Sequence, residues 1–447
     1  QGNDVQQHTD MMVEHFKNAW KKLNIQYDDF IRTTEERHTE VVSNVIRCLV
    51  SSGDIYKDSY EGWYCVPCES FWTKSQLSEE KCPDCGRPVK HIKEENYFFK
   101  LSSYQEWLID YIYENENFIL PRGKRQEILS FLKDPLEDLC ISRPRTRLSW
   151  GIPFPDDEDF VVYVWFDALL NYISVVKFSV DNKYFKTVWP ARIQMIGKDI
   201  LRQHAVYWPI MLKALDVRLP KHVIAHGWWT IEGDKMSKSR GNVVDPIHMS
   251  ESYGVDTFRY YMLREASIGA DGAYSENLLI QRFNSDLAND LGNLVYRSLS
   301  MLKKYFDGIV PDIDKASIDL PIRTLAEQLC GNLEQCMIQD FDTRSALTRV
   351  WELVMAANKY VEDTKPWKLA KDDSRKDDLA VFMYVLLETI RFIGVALSPF
   401  IPDTAEKILV LLKEDGANKN ALSQWGLLDS GKQLDKGTPL FPKIEVE

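Results

Sequence analysis

Apolar residues along the chain repeat first at helical spacing, then in short strand-like runs, and finally at helical spacing over a long C-terminal stretch. After polar Gln1-Gly2-Asn3-Asp4, residues Met11, Met12, Phe16, Ala19, Trp20 and Leu23 mark one helix. Asn24 to Thr34 reads as a short strand leaving it. A second amphipathic helix is expected from Glu36 to Ser52, with Val41, Val42, Val45, Ile46, Leu49 and Val50 on one side. Residues 54–98 read as short strand pieces rich in Tyr and Trp, and residues 99–150 as helices over Tyr104–Tyr113 and Arg125–Leu132. An α/β alternation follows. Phe160–Trp165, Ile193–Ile196 and His222–Ala225 read as strands, Asp167 as a helix cap, and Leu201 to Leu212 as a helix. Strands that end in Gly or Asp just before a helix are where open parallel sheets place ligands. From Asn284 the pattern is helix after helix: a stripe of Leu287, Leu291, Leu294, Val295, Leu299 and Leu302, then Thr324–Gln339, Thr343–Thr364 and Leu379–Leu397. That is an antiparallel bundle of at least four helices.

With 447 residues, 45% of them hydrophobic, the chain has material for two or three domains. No apolar run approaches the length needed to span a bilayer and no secretory signal opens the chain, so a soluble, cytoplasmic protein is expected. A net charge of −12 argues against a general nucleic-acid binder but leaves room for one local basic face. Arg143, Arg145 and Arg147 form such a run, for which a solvated surface is the default reading.

Four of the eight cysteines stand as two pairs, Cys65-Val66-Pro67-Cys68 and, after thirteen residues, Cys82-Pro83-Asp84-Cys85. Each C-x-x-C places two thiolates in a knuckle, and two knuckles make a tetrahedral four-sulfur zinc site. A closed shell of four thiolates has no position for substrate, so the expected Zn2+ is structural and folds a module with little core of its own. Cys48, Cys140, Cys330 and Cys336 lack such spacing and read as core.

Lys235-Met236-Ser237-Lys238-Ser239 lies between Gly233 and Gly241, a composition suited to laying two ammonium groups against phosphates. This KMSKS run resembles the second signature of class I aminoacyl-tRNA synthetases, and its context resembles the methionyl-tRNA synthetases over essentially the whole chain. Tyr163-Val164-Trp165-Phe166-Asp167-Ala168-Leu169-Leu170-Asn171-Tyr172 resembles that family's Y-V-W-x-D-A-L-x-N-Y segment. Ile196-Gly197-Lys198-Asp199-Ile200 with His204 and Trp208-Pro209 resembles its I-G-K-D-I…H…W-P segment. By resemblance Trp165, Ala168, Tyr172, His204 and Trp208 line a methionine pocket, where aromatic walls suit a polarizable thioether; read alone, they are plain core. The resemblance further implies that Gly197 and Asp199 hold the ribose of ATP, that His226 and Gly227 line the adenine, and that Lys235 and Lys238 act catalytically on the phosphates of Mg2+-bound ATP.

In the bundle, Leu287 to Arg297 resembles the family's anticodon-reading helix, and Pro366-Trp367-Lys368-Leu369 the segment whose Trp stacks on an anticodon base. Asn293 and Arg297 fall four apart and opposite the leucine stripe, so both are expected to face solvent. A bundle anchor is the alternative for Trp367. The implied fold is an α/β Rossmann-like catalytic domain, N-terminally incomplete, with a zinc-bearing insertion and an all-α anticodon-binding bundle. The expected segments are 1–34 (remnant of the first half of the nucleotide-binding domain), 35–158 (connective insertion with zinc knuckles), 159–228 (its second half), 229–283 (KMSKS loop and stem-contact region) and 284–447 (bundle).

The family's first signature, H-x-G-H, is absent from the sequence. Full-rate catalysis is therefore not expected of the chain as written, the simplest account being a missing front end. The implied activity is ATP-dependent formation of methionyl-adenylate and transfer of methionine to tRNA(Met) by a monomer. The competing readings are a non-catalytic tRNA-binding relative and a class I synthetase for leucine, valine or cysteine. An intact lysine loop speaks against the first, and Asn293, Arg297 and Trp367 in one bundle against the second.

Overall fold

The computed structural model describes residues 4–444 apart from 68, 69, 73, 75, 76, 78, 79, 84, 180, 181, 232, 237–242 and 415–419. These form two compact units, one of residues 1–8 and 27–226, the other of residues 9–26 and 227–447.

The first unit is an α/β body. The helix Glu36–Ser52 buries Val41, Val42, Val45, Ile46 and Leu49 as its spacing demands, and His38 with them. It stops where Gly53 takes a left-handed φ of 80° and the Asp54 N–H donates to the Leu49 carbonyl, which satisfies a carbonyl at the helix end. The strands are β1 (Ile55–Cys65), β2 (Ser70–Trp72), β3 (Lys90–Phe99), β4 (Ile119–Leu120), β5 (Leu139–Cys140), β6 (Ser142–Pro144), β7 (Phe160–Val162), β8 (Ile193–Gly197) and β9 (His222–His226). β1 and β3 pair antiparallel from Ile55↔Phe99 to Tyr64↔Lys90, a far longer ribbon than the short pieces expected. β4, β9 and β8 make a parallel sheet in that order. The helical segment between β8 and β9 supplies the crossover that parallel pairing requires. Val223, Ile224 and Ala225 are fully buried, as suits a parallel strand covered on both faces.

Several expectations fail here for identifiable reasons. Residues 24–34 contain no strand; Asn24 turns the chain at a φ of 55°. The strand at Phe160 ends at Val162, and Val164–Leu169 is helical, so Trp165 sits on a helix. Asp167 is therefore inside that helix and caps nothing. Arg143 is buried rather than solvated: its guanidinium lies 4.3 Å from the Tyr163 ring and donates to the Ser142 carbonyl at 2.7 Å. Arg145 and Arg147 are exposed, as the default reading has it, and Arg147 bonds Glu94 at 2.5 Å over the Tyr64 ring. Cys48 is exposed and Cys330 half-buried, against the core reading; Cys140 and Cys336 are buried.

In the second unit β10 (Trp229–Ile231) and β11 (Asp234–Lys235) form a hairpin turning at Gly233, whose φ is 85°. β12 (Gly272–Ala273) joins the other edge of β10. The helices Asn293–Phe306, Pro321–Glu334, Thr343–Thr364, Lys376–Leu397 and Pro402–Leu411 then share one core, in which the whole leucine stripe is buried. The first helix of the stripe is not uniform: a π segment over Phe283–Gly292 precedes the α-helix. Residues 373–397 are long and apolar enough to cross a membrane, contrary to expectation, yet 89% of that apolar window is buried within the fold. Inside that helix Glu388 accepts from the N–H groups of Gly426, Leu427 and Leu428, while Arg391 bonds Glu388 at 2.7 Å and donates to the carbonyls of Ala421 and Gln424. The two buried charges pair with each other and tie the C-terminal segment to the bundle.

Candidate functional site

The first unit sets two aromatic rings against one imidazole and packs two more behind them. His204 lies in a π segment, Gln203–Tyr207, that runs directly into the helix Trp208–Ala214. Single π turns are frequent at functional sites. The His204 ring is 6.4 Å from Trp165 at 80° and 5.6 Å from Tyr172 at 75°. Tyr172 in turn is 5.8 Å from Trp208, which packs edge-on against Trp189 at 6.3 Å. Trp208 is fully buried, whereas Trp165, Ala168 and Tyr172 are half-buried and so keep an accessible side. Trp165 and Ala168 lie three apart on the helix Val164–Leu169, on one face.

Hydrogen bonding fixes the protons. His204 Nδ1 lies 2.8 Å from the Ile200 carbonyl, which can only accept, so Nδ1 carries hydrogen. Nε2 then receives the Tyr172 hydroxyl proton at 2.8 Å. Burial lowers the His204 pKa, and the Ile200 bond opposes it only in part. Burial likewise pushes the Tyr172 hydroxyl up to about 12. The cage is thus neutral, soft and apolar, with one polar edge.

At the C-terminal end of the parallel sheet, Gly197 of β8 stands in register with His226 of β9. A Cβ at Gly197 would come within 2.7 Å of Asp199 Oδ1 and 3.9 Å of His226 Cε1. Glycine there lets the carboxylate and the imidazole approach one strand end, the place where such sheets bind ligands. In the second unit, a Cβ on Gly227 would fall 2.0 Å from the Ala270 carbonyl oxygen, so only glycine fits. The Trp228 N–H donates to Asp271 at 2.9 Å and locks the same crossing. Lys235 pairs with Thr230 across the hairpin. Lys238 lies outside the described residues.

β1 ends at Cys65, where the chain turns. Cys65, Cys82 and Cys85 bring their sulfurs within 4.8 Å of one another, and Cys65 and Cys85 are 3.6 Å apart. Zinc bound to thiolates at about 2.3 Å in a tetrahedron spaces its sulfurs by about 3.8 Å, so the set fits that ion. Gly86, at a φ of 68°, returns its N–H to the Cys82 carbonyl at 2.8 Å and closes the second knuckle. Cys68, the fourth expected ligand, lies outside the described residues.

In the bundle, Asn293 is exposed and Arg297 half-buried, with Arg297 Nη2 donating to Glu362 at 3.0 Å. Glu362 is near the end of the helix Thr343–Thr364, after which Lys365, at a φ of 51°, turns the chain into Pro366 and Trp367. Trp367 is 38% exposed. An indole so exposed is a poor anchor and a good stacking platform.

One residue of the cage's surroundings escaped sequence reasoning. His38, fully buried, places Nε2 at 2.6 Å from Asp167 and Nδ1 at 2.7 Å from Ser174. Its signal was present: His38 continues the apolar series 41, 42, 45, 46, 49 at helical spacing.

Known proteins resemble this chain along its length. Residues 1–91 and 87–299 match the family described as class I tRNA synthetases (M). Residues 320–447 match the anticodon binding domain of methionyl tRNA ligase. The methionine–tRNA ligase of Clostridium tetani is 48% identical over 453 residues, covering 100% of this chain and 70% of that protein. That of Bacillus subtilis is 42% identical, covering 99% and 69%. Among solved structures, Mycobacterium tuberculosis methionyl-tRNA synthetase bound by methionyl-adenylate superposes with a TM-score of 0.88 at 39% identity, covering 96% of this chain and 85% of that one.

Proposed function

Because this chain belongs to the methionyl-tRNA synthetases, we propose that it activates methionine with ATP and transfers it to tRNA(Met). The observation that carries this reading is the neutral cage in which Tyr172 donates to His204 beside Trp165 and Trp208. A thioether is unbranched and polarizable, and sulfur–aromatic contacts stabilise it by roughly 0.3–1.5 kcal/mol. A β-branched valine side chain does not reach an aromatic wall in the same way.

Two displacements make up the reaction. The methionine carboxylate attacks the α-phosphorus of Mg-ATP, forming methionyl-adenylate as pyrophosphate departs. A ribose hydroxyl at the tRNA 3′ end then attacks the adenylate carbonyl, and AMP leaves. The protein supplies no nucleophile, so its contribution is position and charge. In this reading Trp165, Ala168, Tyr172, His204 and Trp208 hold the side chain. Gly197 and Asp199 hold the ribose, His226 and Gly227 flank the adenine, and Lys235 and Lys238 neutralise phosphate charge. Asn293, Arg297 and Trp367 read the splayed anticodon bases by edge and by stacking. Cys65, Cys82 and Cys85, with Cys68, hold a structural zinc that leaves no open position for chemistry. The enzyme works in the cytoplasm, where charged tRNA is consumed.

ATP–pyrophosphate exchange with methionine, leucine, valine and cysteine tests the assignment, alongside calorimetric binding of each amino acid. Exchange or binding that selects methionine supports it. A chain that binds tRNA(Met) but none of the four amino acids is a tRNA-binding relative without the ligase activity.

A further inference from the structure

Two short helices carry three of the five cage residues, and neither is long enough to hold itself in place. Val164–Leu169 bears Trp165 and Ala168, and Asn171–Ser174 bears Tyr172. Isolated helices of this length do not form in water, so their setting comes from what they pack against. We propose that His38 is the positioning residue of the cage: one buried imidazole clasps both helices, Asp167 of the first through Nε2 and Ser174 of the second through Nδ1. This rests on the methionine reading of the cage given above.

The protons follow from the partners. The Ser174 hydroxyl donates to the Leu170 carbonyl at 2.9 Å, so its oxygen accepts from His38 Nδ1–H. The remaining contact, Nε2 to Asp167 at 2.6 Å, then holds one further proton between imidazole and carboxylate. Wherever that proton sits, the pair is net neutral, which a site closed to water requires. Because His38 projects from the rigid helix Glu36–Ser52, whose apolar face is buried along its length, the clasp is anchored on one side only. It transmits the place of that helix to the rings of Trp165 and Tyr172. Losing the Nε2 contact alone leaves a buried carboxylate without its donor and lets the first helix shift.

The test separates this role from that of an ordinary core histidine. In His38→Gln the side-chain amide nitrogen reaches about where Nε2 stands, whereas in His38→Asn it stops at Nδ1 and cannot reach Asp167. Methionine affinity of the full chain is measured by calorimetry for both variants, with tRNA(Met) binding, zinc content and cooperative thermal unfolding as controls on the fold. The expected result is that His38→Asn weakens methionine binding about tenfold or more, the cost of an unmade buried hydrogen bond. His38→Gln stays within about threefold of the unaltered chain, and tRNA binding stays within about twofold in both. Equal methionine affinity in all three proteins overturns the proposal, as does a loss of methionine and tRNA binding together in both variants. If the unaltered chain binds no methionine, the reading of the cage itself fails instead.

Discussion

The hydroxyl of Tyr172 and the imidazole of His204 meet at 2.8 Å, and the direction of that bond is set by the backbone, because the Ile200 carbonyl occupies the other ring nitrogen. His204 is therefore an acceptor toward Tyr172 and presents no free donor of its own. The edge of the cage is held by a single proton.

Removing that proton isolates its contribution. Tyr172→Phe keeps the ring that faces Trp208 but leaves Nε2 without a donor. A buried polar atom left unsatisfied costs about 1–3 kcal/mol. Methionine should bind about tenfold more weakly or worse, while tRNA binding is unchanged. Titration calorimetry with each ligand measures the split.

The same pair sets an acid limit. Burial lowers the pKa of His204 below its ordinary value of 6.5, so the folded protein binds that proton less readily than the unfolded chain. The resulting stability is present in full above pH 6.5 and is lost as pH falls through the depressed folded value. Tyr172, pushed up to about 12, adds no alkaline limit near neutrality. Methionine affinity should stay level from pH 8 through 6.5 and decline only as pH falls through the depressed folded value. Binding measured across that range, with His204→Asn as the reference lacking the titrating group, checks the assignment.

The knuckles should retain about one zinc per chain through dialysis, and Cys82→Ser should lower that to near zero. Metal analysis gives the count. Loss of the ion should expose residues 65–88 to limited proteolysis while the helical bundle, which has its own core, keeps its thermal transition.

Trp367 offers a contrast between stability and recognition. Truncation of a buried tryptophan costs about 3–5 kcal/mol, but this one is 38% exposed. Trp367→Ala should move the melting temperature little and weaken tRNA(Met) by about 1–3 kcal/mol, the measured range for a lost base stack. Methionine affinity should not change. A large drop in thermal stability would instead make Trp367 an anchor.

Periodicity alone determined the helix Glu36–Ser52 and the helix Thr343–Thr364 to the residue, and it located the leucine stripe, because an amphipathic repeat of several turns leaves one way to bury its apolar face. The C-x-x-C spacing likewise marked Cys82 and Cys85, and the fold gathers their sulfurs with that of Cys65 within 4.8 Å of one another. Only the tertiary structure decided the rest. Trp165 lies on a helix rather than a strand because three residues of β7 satisfy the pairing with β6, after which the chain is free to coil. Arg143 is buried because Tyr163 and Tyr64, far from each other in sequence, converge on its guanidinium. His38 became part of the cage's support because folding brings it to Asp167 and Ser174, 129 and 136 residues away. A local pattern states which side of an element is apolar. Which polar group on that side finds its partner depends on residues that only the closed fold brings within 3 Å.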